Sequence, residues 1–532
     1  MICWCSNVSG QNYFSKVYKV YEDSTGKENL WPNYLVSVLP TDSLIFAFGY
    51  SADTSYFDIY GTAFYIFDQQ GELLEYYHIK ENGKYNYFSP AGIVTWDGIT
   101  FYTTFNHYYK HQSILKFNRK SKEQTVFEIE NMVQPGRYIA SFADLIGSVD
   151  GALFTSSLVV IDSTEFNHKI QIVKTDTTGV ILWSTILGNE PGNGYRNRNR
   201  SISTDEQGNV YAGVAYTNSN REIKNSNYQN LFYKLDSSGK LVNSNFSKLA
   251  RSGICYMYDI VQDEKSWFYI SADYNTNEPQ YPYANTGYGI ILVYDSSMQL
   301  IKQKSLEFLA QSSTGYAYLK SFEKIIQSAD RIGFVLGGNQ LQIDTLVKWN
   351  DTFQIFDTIR TFHRSIHLVK FDDQLNFLWK RYYRIRLGQD EGYLYDLKAH
   401  PNGGYMIAAA SYKDDAYEQS KEAYWMPWLL KLDDEGCIIP GCNLVRNQDE
   451  LTKVDFTLFP NPVDDYLLIR TTESKGFYFT IHSIDGKLWD HFKSGQVGED
   501  ILISMKRYPR GMYIVNCMDH KGKLESKTFI KG

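Results

Sequence analysis

The sequence predicts an all-β chain, a seven-bladed β-propeller followed by a small C-terminal β-sandwich. Three observations carry this. A strand–turn–strand segment recurs seven times, strand-forming residues are abundant, and composition and turn signals change after residue 442.

The recurring segment is clearest at Ile172–Trp183, IVKTDTTGVILW. Two apolar runs flank Asp176-Thr177-Thr178-Gly179. An Asp carboxylate can accept the backbone N–H two residues on, and Gly takes positive φ without a Cβ clash, so the pattern reads as a tight β-hairpin. The same pattern recurs at Ala63–Leu74, Ser113–Phe127, Leu231–Val242, Ile290–Ile301, His367–Trp379 and Trp428–Ile439. The turn residues Asp68, Asn118, Asp176, Asp236, Asp295, Asp372 and Asp433 are spaced by 50, 58, 60, 59, 77 and 61. A fixed period of this size marks a repeat architecture. Gly71, Gly179, Gly239 and Gly436 close four turns, whereas Ser121, Met298 and Leu375 stand there in the others, so relaxed geometry is expected at those three.

Each hairpin is preceded by another strand signal: Leu44–Gly49, Ile99–Thr104, Ala152–Ser157, Val210–Tyr216, Trp267–Ala272, Ile332–Gly337 and Gly404–Ala410. Four strands per unit in units of about sixty residues give a propeller. Seven blades fit the period, with six or eight left open by one degenerate and one enlarged unit. Phe14–Val20 is expected to complete the last blade. The wide spacing before Asp372 places an insertion near 340–362 that alternates like an extra hairpin. Ser305–Ala310 and Ser321–Ile326 read as short helical turns or loops. Long loops at 189–200, 217–230 and 275–288 are expected on the rims.

Of 532 residues, 43% are hydrophobic and 21% charged, which is globular rather than disordered. The 43 Tyr and 31 Phe suit strands. A net charge of −7 gives no electrostatic footprint for nucleic acid. Beyond the N-terminus no apolar run is long enough to span a bilayer. Six cysteines are too few for a disulfide scaffold, but Cys437 and Cys442 flank a Pro-Gly turn and can bridge. Such a bridge favours an oxidising compartment. Residues 1–11 read as the tail of a signal peptide, 12–442 as the repeat domain, 443–453 as a polar linker and 454–532 as the sandwich.

Residues 454–532 carry four ordered motifs. They are Phe459-Pro460-Asn461-Pro462, Ile484-Asp485-Gly486-Lys487, Pro509-x-Gly511-x-Tyr513 and Lys527-x-x-x-Lys531. Pro-Asn-Pro gives an extended entrance lacking two backbone donors, and Asp-Gly a hairpin turn. This order resembles the type A C-terminal sorting domain of the Bacteroidetes type IX (Por) secretion system. Ile481-His482-Ser483 departs from the plainer apolar strand usual there. The resemblance implies a cleaved export signal, recognition by the translocon and delivery to the outer-membrane surface or the medium. The repeat region resembles other cargo of such systems, ending in a Leu-Asp-x-x-Gly-Cys run at Leu432–Cys437.

Chemistry-bearing patterns are sparse. The hairpin at Asp176–Trp183 also resembles the tryptophan-docking motif of quinoprotein propellers, but only Trp183 and Trp379 hold that position, and hairpin packing accounts for them. Asp372-Asp373, Asp433-Asp434-Glu435 and Asp464-Asp465 could pair for glycoside hydrolysis, yet sit at turns, where Asp is a turn former. His363 and His367 are four apart on a strand rather than a helix, which separates them too far to grip zinc. No cofactor or metal is expected. Arg196, Arg198 and Arg200 form a basic loop suited to an anionic glycan or phosphate, and Tyr281, Tyr283 and Tyr288 an aromatic one suited to stacking on sugars. The reading is a secreted, non-enzymatic binding or adhesion module with a glycan or protein ligand. The alternative is a secreted polysaccharide-active enzyme on the same scaffold. A self-assembling surface component differs from the first only in partner.

Overall fold

The structure, a computed structural model, describes residues 13–18, 34–52, 60–79, 86–87, 92–107, 111–129, 138–160, 168–188, 201–217, 228–247, 254–265, 268–275, 287–306, 318–350, 355–383, 391–413, 424–438, 456–471, 478–484, 487–493, 500–518 and 524–532. It divides into two compact units, Met1–Gly441 and Cys442–Gly532. Among the described residues every regular element is a strand.

The first unit opens with β1 (Phe14–Val17) and continues in four-stranded antiparallel meanders. The first comprises β2 (Tyr34–Pro40), β3 (Ile45–Ala52), β4 (Tyr60–Phe67) and β5 (Leu73–Ile79). Next come β6 (Asn86–Tyr87), β7 (Thr100–His107), β8 (His111–Asn118) and β9 (Gln124–Ile129). The third has β10 (Tyr138–Gly147), β11 (Leu153–Val160), β12 (His168–Thr175) and β13 (Ile181–Leu187). The fourth has β14 (Ile202–Thr204), β15 (Val210–Thr217), β16 (Tyr228–Leu235) and β17 (Leu241–Ser247). The fifth has β18 (Ile254–Gln262), β19 (Phe268–Asn275), β20 (Gly287–Tyr294) and β21 (Leu300–Ser305). The sixth has β22 (Tyr318–Gln327), β23 (Gly333–Asn350), β24 (Ile355–Asp372) and β25 (Phe377–Tyr383). The last runs β26 (Glu391–Ala399), β27 (Tyr405–Lys413) and β28 (Tyr424–Leu432), and β1 supplies its fourth strand by pairing with β28. Each sheet touches the next, and β2 touches β26 and β27, so the arrangement is a closed, propeller-like ring. Apolar clusters lie between successive sheets; one joins Phe154, Ile172 and Trp183 to Val210 and Tyr233.

The turn between the third and fourth strands has one construction. Asp176 Oδ1 accepts the N–H of Thr178 at 2.8 Å and of Val180 at 2.9 Å. Asp68, Asp236, Asp295, Asp372 and Asp433 do the same two and four residues on. The geometry does not relax where Gly is missing, contrary to expectation. Met298 (φ 66°) and Leu375 (φ 63°) adopt the left-handed conformation that Gly239 (φ 82°) holds. A non-Gly residue there costs ~1–2 kcal/mol. Burial offsets it: both side chains are buried, and burying such a group is worth about 1.5–3 kcal/mol. Only at Asn118 does the turn lengthen, passing positive φ to Lys122.

What occupies the turn is set by the preceding sheet. The Trp183 ring lies on Gly239, where a Cβ would come within 2.5 Å, and its Nε1 donates to Ser237 O at 2.9 Å. Trp379 likewise covers Gly436. Asn243, the equivalent of Trp183 in the next unit, leaves room for Met298 and donates to Ser297 O at 3.2 Å. Lys302 holds that place before Leu375 and donates to Gln374 O at 2.9 Å. Large ring with Gly, and short or thin side chain with Met or Leu, is a volume match across each seam. At the closing seam Phe14 covers Gly71, Tyr18 Oη donates to Gly71 O at 2.7 Å, and Trp428 Nε1 donates to Ser15 Oγ at 3.0 Å.

Two other expectations change. Ser321–Ile326 lies within β22 rather than in a helical turn or loop. A bulge between Phe322 and Lys324 adds one residue, so Phe322 and Ile325 fall at a helix-like spacing of three on one buried face. The insertion near 340–362 is not a separate hairpin. It extends β23 and β24 into one ladder, paired from Gly333–Asp372 to Asn350–Ile355.

In the second unit, β29 (Phe456–Phe459), β30 (Tyr466–Thr471) and β33 (Asp500–Ser504) form one sheet. The other is β32 (Leu488–Lys493), β31 (Tyr478–Ser483), β34 (Gly511–Met518) and β35 (Leu524–Lys531). One core joins Phe456, Leu467 and Ile469 of the first sheet to Phe479, Val515 and Phe529 of the second. The expected signal remnant, 1–11, and the expected linker, 443–453, lie outside the described residues.

Candidate functional site

The first strand of each sheet has only one paired edge, so its other edge of N–H and C=O groups faces the ring axis and needs partners. Five of these strands carry a bulge at the same place. The ladder slips between Leu35 and Ser37, Phe142 and Asp144, Met257 and Asp259, Phe322 and Lys324, and Leu394 and Asp396. Bulges bend a strand and re-aim its side chains. Here the residue after each slip reaches the neighbouring sheet or the axis. Asp396 Oδ2 accepts Ser37 Oγ–H and Val38 N–H, both at 3.0 Å. Asp144 Oδ2 accepts Ser201 Oγ–H at 3.1 Å and Ile202 N–H at 3.2 Å. Asp259 Oδ2 accepts Ile325 N–H at 2.9 Å. Each carboxylate is a strut to the next first strand.

Between these struts stand two ammonium groups. Lys324 Nζ is 3.9 Å and Lys398 Nζ 3.6 Å from Asp396 Oδ1. Burial works against the Lys324 charge, but Asp259, Asp396 and Asp144 outweigh it and raise its pKa. Burial raises the Asp144 carboxyl to about 6, with Asp259 adding to the rise and Lys324 opposing it. Asp144 and Lys324 belong to sheets three apart, so this interaction runs across the axis. The extra residue of the β26 bulge is Tyr395, whose ring stacks on Tyr34 at 5.0 Å and 22°. Arg364 sits over the Tyr393 ring at 4.2 Å. Burial, then Tyr34 and Glu323, raise the Tyr395 pKa.

Sequence reasoning missed this cluster. The readable signal is position: Ser37, Asp144, Ser201, Asp259, Lys324 and Asp396 each lie four residues before the residue that begins the following turn, Thr41, Ser148, Asp205, Asp263, Ser328 and His400. Differing residue types hide the equivalence.

The residues singled out from sequence fall elsewhere. Arg196, Arg198, Arg200, Tyr281 and Tyr283 lie outside the described residues, and Tyr288 is placed in β20 by its backbone alone, opposite Tyr274. Cys437 is disulfide-bonded, and Cys442 lies outside the described residues. His367 is buried edge-on against Phe322 at 4.6 Å, and burial lowers its pKa to about 3; it stays neutral. Among the described residues no group of three His, Cys, Asp or Glu side chains is placed to hold a metal. In two of the acidic pairs the first member serves its turn, Asp372 and Asp433 accepting turn N–H groups, while Asp434 Oδ1 accepts Gly404 N–H at 2.5 Å and Asp373 pairs with Lys265 at 3.0 Å.

The motif residues of the second unit pin its strands. Asn461 donates to Thr528 O at 3.1 Å and accepts Ile530 N–H at 2.9 Å, acting as a side-chain strand partner for β35. The flanking bonds Phe459–Pro460 and Asn461–Pro462 are cis. Tyr513 is buried and donates to Pro509 O at 2.7 Å, closing that turn. Lys527 donates to Phe456 O, latching β35 to β29. Lys487 lies over Trp489 at 4.6 Å, and Lys531 donates to Gly532 O at 2.8 Å. Gly511 opens β34 opposite Lys531, while Asp485 and Gly486 lie outside the described residues.

The second unit is a type IX secretion sorting domain: the family described as "Secretion system C-terminal sorting domain" matches residues 457–531. The chain is therefore directed through the periplasm to the cell surface or the medium, recognised by the secretion machinery through this domain. No helix among the described residues is long and apolar enough to cross a membrane. No curated protein matches the chain. Among solved structures, a Bacteroides caccae protein of unknown function is similar at 11% identity, TM-score 0.32, over 67% of this chain and 96% of that one. A PL25 ulvan lyase is similar at 6% identity, TM-score 0.44, over 79% and 98%. The Pseudomonas aeruginosa periplasmic gluconolactonase is similar at 12% identity, TM-score 0.37, over 70% of this chain and 99% of that one.

Proposed function

We propose that the first unit is a seven-bladed β-propeller acting as a non-enzymatic binding module at the cell surface, exported by a C-terminal β-sandwich. One observation carries the binding reading. The axial carboxylates of Asp144, Asp259 and Asp396 are engaged as struts between sheets, so moving them to serve a reaction would open backbone bonds. A disulfide at Cys437, which we assign to Cys442, suits an exported protein. A polysaccharide-active enzyme is the second reading. The raised Asp144 carboxyl, at about 6, favours it, because a general acid works best near ambient pH. The test is incubation of the purified full chain with a panel of soluble and insoluble polysaccharides. Co-sedimentation or retention without new reducing ends or unsaturated products is expected. Turnover above that of heat-denatured protein, abolished in Asp144→Asn, would replace the binding reading with the enzymatic one.

A further inference from the structure

We propose that the secretion machinery grips the sorting domain on the outer face of its four-stranded sheet, where Ile484, Met512 and Ile530 stand side by side, and that the partner there is an apolar surface edged by carboxylates. The inference concerns the second unit and stands apart from the binding reading of the ring.

The three residues form one row across the sheet. Ile484 follows β31 directly, and its N–H donates to Met512 O at 3.2 Å. Met512 pairs with Ile530 across β34 and β35. Their exposures are 69%, 43% and 45%, although all three are large and apolar. Alternation sets them opposite the core: Tyr513 and Phe529, their neighbours along the same strands, are buried in it. The face changes character along its strands. At its other end Ser526 Oγ donates to Asn516 Oδ1 at 2.6 Å and Asn516 Nδ2 to Thr480 Oγ1 at 3.4 Å, so polar side chains satisfy one another. The apolar end is a contiguous patch open to water, which marks an interaction surface more than scattered single residues do.

The four motifs converge on this row. Asn461 accepts Ile530 N–H at 2.9 Å and Val463 N–H donates to Ile530 O at 2.7 Å, so the Phe-Pro-Asn-Pro segment and the residue after it fix both backbone groups of Ile530. Tyr513 closes the turn at Pro509 that leads into Met512. Ile484 opens the Ile-Asp-Gly-Lys motif, while Met512 and Ile530 fall between motif residues. Asn461, Tyr513 and Lys527 are themselves bonded within the domain. A reader of the folded domain therefore meets the residues that the motifs position rather than the side chains that do the positioning.

Function and charge identify the occupant. A sorting domain must present a surface to the machinery that exports it, and this row lies within the matched residues. Cations edge it. Lys487 is exposed and closes the turn after Ile484 by accepting Ser483 N–H at 2.9 Å; Arg510 is exposed just before β34; Lys531 is partly exposed, opposite Gly511. Asp464, beside Gly532, is a carboxylate at the same end. An apolar centre with a mainly cationic rim fits an apolar surface with an acidic rim.

The experiment measures export of full-length chains in the native host, as the share at the surface and in the medium against the share in the periplasm. Met512→Glu combined with Ile530→Glu sets carboxylates against the partner's apolar surface and acidic rim. Export should fall roughly tenfold or more, with the chain held in the periplasm. Met512→Thr with Ile530→Thr keeps strand-forming residues and should lower export about threefold. Met512→Leu should be exported like the native chain, and so should Leu502→Glu, because Leu502 is 62% exposed on the other sheet. Thermal melts of the purified chains establish which variants are folded, and the Thr pair decides if the Glu pair is not. Undiminished export of the folded double variants, while a chain ending at residue 453 is retained, would overturn the proposal and leave the sorting function intact. An equal loss in folded Leu502→Glu would also overturn it, because the row would then have no special part. Export of the chain ending at residue 453 would instead remove the sorting function itself. A purified native chain that is dimeric, and a Glu pair that is monomeric yet exported normally, would assign the row to a second copy and overturn the proposal.

Discussion

Asp144 shows how one side chain can be both a strut and a cost. Its Oδ2 satisfies an edge N–H of β14, yet burial and Asp259 hold its pKa at about 6, above the ordinary 3.8. A carboxyl whose pKa is raised by folding contributes its stability below the unfolded value and loses it as pH rises through the folded one. The window is therefore about pH 4 to 6. Asp144→Asn keeps an acceptor for Ile202 and cannot ionise. Denaturant melts should show the variant more stable by roughly 1–3 kcal/mol at pH 7.5, with the gain gone at pH 4. A variant less stable at both values would mean the charge is needed for Lys324. Met298 and Leu375 make a related point about local preference. The sequence predicts relaxed turns there; the backbone is instead left-handed, and burial of both side chains makes it tolerable.

At the scale of elements, the third-to-fourth-strand hairpin was legible as a repeat, because one side-chain oxygen of Asp or Asn must accept two N–H groups, whereas the left-handed backbone at Met298 and Leu375 was not. The partner across each seam was not. Trp183 and Gly239 belong to different repeats, and only the ring places one on the other. The same holds for the first strands, where the bulge shifts the alternation of β22 and makes Phe322 and Ile325 read as helix. Closure by β1 follows from pattern and geometry together: within the expected strand at 14–20, Phe14–Val17 pairs with β28. Phe14 is buried on Gly71, so Phe14→Ala should cost about 3–5 kcal/mol. Hydrogen exchange should then rise first in β28 and β2, on either side of the seam. Unchanged protection in both strands would show that β1 does not hold the ring closed.

Over the whole molecule, two units have separate tasks. Three of the sorting motifs were legible in sequence because each is tied to a local demand: an Asn between two prolines to pair β35, a Tyr to close the turn at Pro509, and a Lys to reach β29. The axial cluster of the ring was not, since its members come from six separate repeats and share a position rather than a residue type. That contrast is physical: a turn is specified by neighbours in sequence, an axis by strands brought together only when the ring closes. Export through the sorting domain is what joins the two units into one function. Protease shaving of intact cells of the native host, comparing the full chain with one ending at residue 453, tests this most directly. The full chain should lose its ring to the protease, while the shortened chain stays protected in the periplasm. Equal digestion of both would contradict the account, because the ring would then reach the surface without its sorting domain.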